Sequence, residues 1–308
     1  MSRPRIPFDI SLRAIAIAVL LVSPRQLSAQ ELTPSDVTVA ESTDSGLRLT
    51  MFSASSLASA AAASVLIGIE VDGLAETTDG TRQIELSVQA DPGSTDIKGA
   101  VAISVPLTDA ETARRAAREG FRALTRIGLT VGRHELRVTV RDTVEGRAAT
   151  LVRVVDVPNL IEASITMSNL LISGSRVVGL SHSGAPEDEL LPIIGRPPTG
   201  RRVFSRSEQI EVNAQIYTAE LPDFNADVCG LEQLRITTLL ESLDGRQVYE
   251  TSDIGQSETL PSGVYGYQHY ALVQIASLPP GPYVLRVVAS DGLTVASRAI
   301  PIAIVETR

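Results

Sequence analysis

Three histidines, one cysteine and a few clustered acids are what this 308-residue chain offers for recognisable chemistry. His134, His182 and His269 stand far apart, whereas zinc sites draw paired ligands at short spacing, so each reads as structural or solvent-facing. GLSHSG (179–184) sets serines beside His182 but departs from the G-x-S-x-G nucleophile elbow. Triads assemble from residues remote in sequence, which makes this stretch a solvated loop. DFNADVCGLE (223–232) gives Asp223, Asn225 and Asp227 the alternate spacing of a calcium loop. Val228 takes the place of its glycine and Leu234 that of its bidentate glutamate, so it reads as an acidic turn. Cys229 cannot form an intramolecular disulfide; it is either a small buried apolar residue or an exposed thiol open to intermolecular pairing. Glu70, Asp72, Asp91 and Asp96 could pair as carboxylates, yet acids at strand ends are usually solvated. The expectation is no metal, no cofactor and no catalytic set.

The elements around these residues are strands. Alternation marks Ser64–Val71, Gln83–Ala90, Ala100–Leu107, Phe121–Ile127, Glu135–Arg141 and Ala148–Val157, with Pro158 closing the first half. One helix interrupts them at 108–120, read as capped by Thr108 with Glu111 three residues on, its alanines at helical spacing and its end at Gly120. In the second half alternation returns at Ala163–Ile172, Gln209–Tyr217, Leu234–Glu241, Arg246–Glu250, Tyr270–Ala276, Tyr283–Ala289 and Thr294–Val305. Asp244-Gly245 predicts a hairpin turn. The segment 182–202, rich in proline and glycine, reads as a long mobile loop or linker. Short strands with turns between them and one helix predict a mainly β fold: two tandem immunoglobulin-like antiparallel β-sandwich domains at 64–158 and 159–308.

A repeat supports the tandem. LTVGRHELRVTVRD (129–142) and LPPGPYVLRVVASD (278–291) align without a gap and share leucine, glycine, leucine, arginine, valine and aspartate at six places. His134 stands where Tyr283 stands. In immunoglobulin-like sandwiches a tyrosine at the entry to a late strand ties its hydroxyl to nearby backbone. Tyr283 can make that structural corner, and His134 can make it with a ring nitrogen.

The amino terminus reads as a secretory signal. Arg3, Arg5 and Arg13 precede the apolar run Ala14–Val22, and Ser28, Ala29 and Gln30 form a small-residue exit, so cleavage is expected after Ala29. Nine apolar residues are too few to span a bilayer, which takes roughly 20. Residues 30–63, rich in Ser, Thr and Ala, read as a flexible leader. The uncharged stretch 49–69 has the length of a membrane span, but its alanines and serines make it weakly apolar. A net charge of −9 and a single lysine, Lys98, argue against nucleic acid as a partner.

The order of elements from IGIEVDG (67–73) through the helix and GRHELRVTVRD to RVVDVPNL (153–160), and again RRVFSRSEQIEVNAQIY (201–217) with PPGPYVLRV, resembles the β-rich region downstream of the A-type domain in bacterial exported von Willebrand factor A-related proteins. The likeness covers about residues 60–308. The D-x-S-x-S metal motif of the A-type domain is missing, so no metal-dependent adhesion carries over to any residue; the resemblance implies an exported accessory or scaffold-like region.

Composition, signal and strands together favour a periplasmic or secreted non-enzymatic protein, a structural or protein-interaction module of the cell envelope whose partner is another envelope or extracellular protein. The alternative is a carbohydrate-binding module with Tyr265 and Tyr267 as its stacking platform, since both share one face of an extended segment. An uncharacterised hydrolase comes third.

Overall fold

The computed structural model describes residues 41–42, 45–57, 62–76, 82–91, 100–107, 109–160, 164–175, 180–183, 198–218, 234–255, 257–259 and 265–306. The expected signal peptide, Lys98 and the Asp223–Cys229 turn lie outside them. The first half supplies β1 (Glu41–Ser42), β2 (Arg48–Leu57), β3 (Ala62–Asp72), β4 (Arg82–Ala90), β5 (Ala100–Leu107), α1 (Ala110–Glu119), β6 (Phe121–Thr130), β7 (Gly132–Asp142) and β8 (Arg147–Val157). The second supplies β9 (Ile165–Met167), β10 (Leu171–Gly174), β11 (Leu180–Ser183), β12 (Val203–Ser205), β13 (Gln209–Thr218), β14 (Arg235–Ser242), β15 (Gln247–Ile254), β16 (Ser257–Thr259), β17 (Tyr265–Gln274), β18 (Gly281–Ser290) and β19 (Val295–Val305).

These strands make two sandwiches. In the first, the sheet β1-β2-β3-β6-β11 faces the sheet β5-β4-β7-β8 across a core of Val65, Ile67, Ile69, Ile84, Leu86, Leu136, Val138 and Leu151. In the second, β10-β13-β17-β16, with β9 also on β13, faces β12-β19-β18-β14-β15 across Ile210, Val212, Ile236, Val273, Leu285 and Val287. Pairing is antiparallel except for β11 on β6 and β12 on β19. In chain order, β3, β4, β5, β6, β7 and β8 take the positions that β13, β14, β15, β17, β18 and β19 take in the second sandwich. They correspond to strands B, C, C′, E, F and G of the immunoglobulin fold. In chain order the helix α1 falls between β5 and β6 as the short edge strand β16 falls between β15 and β17, while the edge beside β6 is taken by β11. The buried Ala113 and Ala116 of α1 pack on the core.

Four boundaries differ from the sequence reading. Residues 48–57, assigned to a flexible leader, form β2 and pair with β3 along its whole length. Leu49 points into the first core while Phe52 is buried on the opposite face, so no period-2 contrast with solvent exists for the sequence to display. The helix is capped by Asp109, whose Oδ1 accepts from the backbone N–H groups of Glu111 (3.0 Å) and Thr112 (2.8 Å), rather than by Thr108. The stretch read as one strand at 163–172 is two, β9 and β10, which pair with opposite ends of β13 on either side of Ser168. The segment read as a loop at 182–202 is anchored at both ends: 180–183 is β11, and Pro198, Thr199 and Gly200 are buried. The hairpin at Asp244-Gly245 forms as expected, with Gly245 at φ 80° and its N–H donating to Ser242 O.

Candidate functional site

The residues that converge most densely lie where the two sandwiches meet. On the face turned away from the first core β3 buries Leu66 and Glu70 and β6 buries Arg122, and β13 is buried on both faces. Phe52 and Leu66 pack there against Leu171 of β10, flanked by Ala54 and Leu124. Gly68, the cross-strand partner of Phe52, makes room for the ring: a Cβ on Gly68 would lie 1.9 Å from Phe52 Cζ.

Beside this apolar contact sits a polar one. Glu70 is only 4% exposed, and its carboxylate is saturated. Oε1 accepts from Arg122 Nη2 at 2.8 Å; Oε2 accepts from Thr50 Oγ1 at 3.0 Å, Thr199 Oγ1 at 2.8 Å and the Gly200 N–H at 3.1 Å. Thr199 N–H in turn donates to Ile172 O at 2.7 Å. One carboxylate thus ties β2, β3 and β6 to the 198–200 segment of the second half. A buried ion pair of this kind costs about 3–5 kcal/mol to break by removing one partner. The reading of Glu70 as a solvated strand-end acid is overturned, because the second half covers that strand end.

Adjoining the polar contact is an open cleft of about 290 Å³ between β2, β8 and β19. Leu49, Met51, Leu170, Ile300 and Pro301 form its apolar walls, and Thr50, Ser53, Asn169, Arg153, Arg202 and Arg298 its polar lining.

The two corners stand at equivalent places. Tyr283 Oη donates to Pro279 O at 2.7 Å, four residues upstream. His134 Nε2 lies 2.8 Å from Thr130 O, also four residues upstream, and Nδ1 lies 2.7 Å from Asp91 Oδ2. A carbonyl and a carboxylate can only accept, so both ring nitrogens donate and the ring is an imidazolium. Burial alone would depress its pKa; the bonds to Asp91 and Thr130 and the charge of Asp91 outweigh that and raise it above the usual value. Asp91, held at φ 46°, also accepts from Glu135 N–H at 2.9 Å. Its carboxyl is lowered, first by the bond to His134 and then by that to Glu135.

Tyr265 and Tyr267 do share one strand face, but it is the inward one. Tyr267 is 4% exposed within the second core and offers no stacking surface, while Tyr265 is half-buried against that core, so the platform of two tyrosines is corrected. Tyr270, on the opposite face, is the exposed one. His269 is buried with Nε2 2.7 Å from Thr238 Oγ1, and burial lowers its pKa. The backbone of His182 lies in β11. Sequence reasoning named Glu70 but read it as solvated, and it missed the arginines of the cleft. The pairing of Arg201 and Arg202 with a glycine-rich approach was the available signal.

No protein-family profile matches the chain. No curated protein matches it either. Among solved structures, the chain is similar to dimeric latent PorU from Porphyromonas gingivalis at 14% identity, over 79% of this chain and 18% of that one, with a TM-score of 0.26. It is similar to a β-glucuronidase from Parabacteroides merdae at 11% identity, over 80% and 28%, with a TM-score of 0.28. It is also similar to fibronectin(III)-like modules of CbhA from Clostridium thermocellum at 13% identity, over 78% and 86%, with a TM-score of 0.19. Likeness at this level assigns neither family nor activity.

Proposed function

We propose that this chain is an exported, non-enzymatic module of the cell envelope that holds two β-sandwiches as one unit and presents their end loops and edges to another envelope or extracellular protein. The junction carries this reading. Phe52, Leu66 and Leu171, with the Glu70 knot beside them, lock the sandwiches through an apolar and a polar contact at once, as a spacer or scaffold requires. Buried and half-buried titratable side chains make structural contacts: Glu70 holds Arg122, Asp142 faces Arg82, Asp91 holds His134, and His269 meets the Thr238 hydroxyl. The secretory pattern of the first 29 residues and the resemblance to exported von Willebrand factor A-related proteins support the same reading. Leu293, 95% exposed in the turn between β18 and β19, and Ile254 at the end of the edge strand β15 are the apolar groups best placed to meet a partner.

The test is site-specific photo-crosslinking in the source cells. A crosslinking residue placed at Leu293 or Ile254 is expected to capture one dominant envelope protein, with the chain recovered from the periplasmic or culture fraction starting at Gln30. Retention of the chain in the cytoplasm, or capture of nothing from either position, would sink the proposal.

A further inference from the structure

In a chain of net charge −9, the cleft between β2, β8 and β19 concentrates positive charge. Arg153 comes from β8 of the first sandwich, Arg298 from β19 of the second, and Arg202 from the segment that joins β12 to the Glu70 knot. Arg202 retains partial surface exposure while protein closely surrounds its guanidinium. Burial pushes that group down to about 10; Glu70 acts against the depression and the charge of Arg153 adds to it. Arg298 is likewise lowered by burial, with Asp156 opposing.

The hydrogen bonds of Arg202 go to backbone. Its Nη1 donates to Thr199 O at 3.3 Å and Arg201 O at 3.0 Å, and Arg298 Nη1 donates to Ser297 O at 3.3 Å. Among the described residues no carboxylate lies within ion-pair distance of either guanidinium. Glu70, the acid that acts on Arg202, already accepts four hydrogen bonds. The carboxylates that act on these partly desolvated cations, Glu70 on Arg202 and Asp156 on Arg298, do so from beyond ion-pair distance, and an anion entering the cleft would add the direct contact.

The walls restrict which anion fits. Guanidinium forks match carboxylate and phosphate oxygens, but Met51, Leu170, Ile300 and Pro301 offer nothing to a bare inorganic ion. A volume of about 290 Å³ admits only a small molecule. We propose that this cleft binds a small organic anion carrying two or more carboxylates on a short carbon skeleton, its acid groups spread over Arg153, Arg202 and Arg298 and its carbons against the apolar wall. This goes beyond the scaffold reading and does not depend on it.

Citrate is the probe, titrated calorimetrically into the full chain at an ionic strength held constant with sodium chloride. Citrate is expected to bind, and inorganic phosphate to bind at least about tenfold more weakly, because it lacks the carbon skeleton. The double variant R153Q/R298Q is expected to weaken citrate about tenfold or more, the loss of at least one charge-assisted contact. Should that variant fold poorly, Arg298→Lys keeps the charge, removes the fork, and weakens citrate by about threefold. Arg137→Gln, on the exposed face of β7, leaves affinity unchanged. Absence of citrate binding, phosphate as tight as citrate, or wild-type affinity in folded R153Q/R298Q or Arg298→Lys would each overturn the proposal.

Discussion

Strands β7 and β18 carry out the same task with one difference of chemistry. Leu136 and Leu285 are fully buried, as are Val138 and Val287, and Gly132 and Gly281 open both strands at positive φ, 131° and 157°. Asp142 and Asp291 close them in the same manner, each using Oδ1 to accept from the N–H groups two and three residues on. The shared residues of the repeat are thus the ones that set the strand's burial and both of its ends. The variable position is the corner: Tyr283 ties back with a neutral hydroxyl, His134 with an imidazolium that needs Asp91. A neutral tie works alone; a charged one recruits a partner from the neighbouring strand.

The closing aspartates break the symmetry most. Asp142 is fully buried and faces Arg82, whose side chain is also fully buried, at 3.6 Å, whereas Asp291 completes its turn with Thr294 Oγ1 at 2.9 Å. Asp142→Ala removes the fully buried carboxylate that faces Arg82 and leaves that guanidinium with only the partly exposed Glu145, 3.1 Å from its Nη2, so it is expected to cost about 3 kcal/mol. Asp291→Ala removes turn hydrogen bonds and is expected to cost about 1 kcal/mol. Urea denaturation midpoints of the two variants measure this directly; equal losses would mean that the buried pair contributes nothing beyond the turn.

A smaller effect is expected at the corner itself. Tyr283→Phe keeps the ring in the core and removes the bond to Pro279 O, a loss of about 1 kcal/mol. His134→Tyr makes the first corner resemble the second, with Thr130 O as its acceptor. Retained stability in that variant at pH 8 would show that the two corners are interchangeable; a loss larger than that of Tyr283→Phe would show that Asp91 cannot be left without its cation.

The sandwiches were legible because their inner strands alternate against solvent. β4 shows buried Ile84, Leu86 and Val88 between exposed or half-buried neighbours, and β5 and β8 follow suit. The junction was not legible for the converse reason. β3 and β13 are buried on both faces, and β2 hides Phe52 on a face that a lone sandwich would leave wet. Glu70 looks like any strand-end acid until the second half folds over it. The tyrosine pair misled because period 2 shows which residues share a face and leaves open which face turns inward. The cleft arginines come from three segments far apart in sequence, so no local spacing could announce them.

The finest distinction between the halves is the sign of their response to pH. His134 has a raised pKa in the folded protein, so its contribution is complete below the ordinary 6.5 and is lost as pH rises through the folded value. Asp91 is lowered, so its share is complete above 3.8 and is lost as pH falls through its own folded value. His269 behaves oppositely to His134. Burial lowers it, so the neutral ring favours the fold, and stability is lost as pH falls from 6.5 through the folded value. The first sandwich therefore weakens on the alkaline side of 6.5 and the second on the acid side, and the pair of histidines places a stability maximum near that pH. Hydrogen exchange, corrected for intrinsic rates, is expected to show protection in β7 and β8 falling as pH rises above 6.5. Protection in β17 and β14 is expected to fall as pH drops below 6.5. His134→Tyr should flatten the first limb and leave the second, and His269→Gln should do the reverse; if either substitution flattened both limbs, the two halves would be titrating as one group and the corner chemistry would not be what separates them.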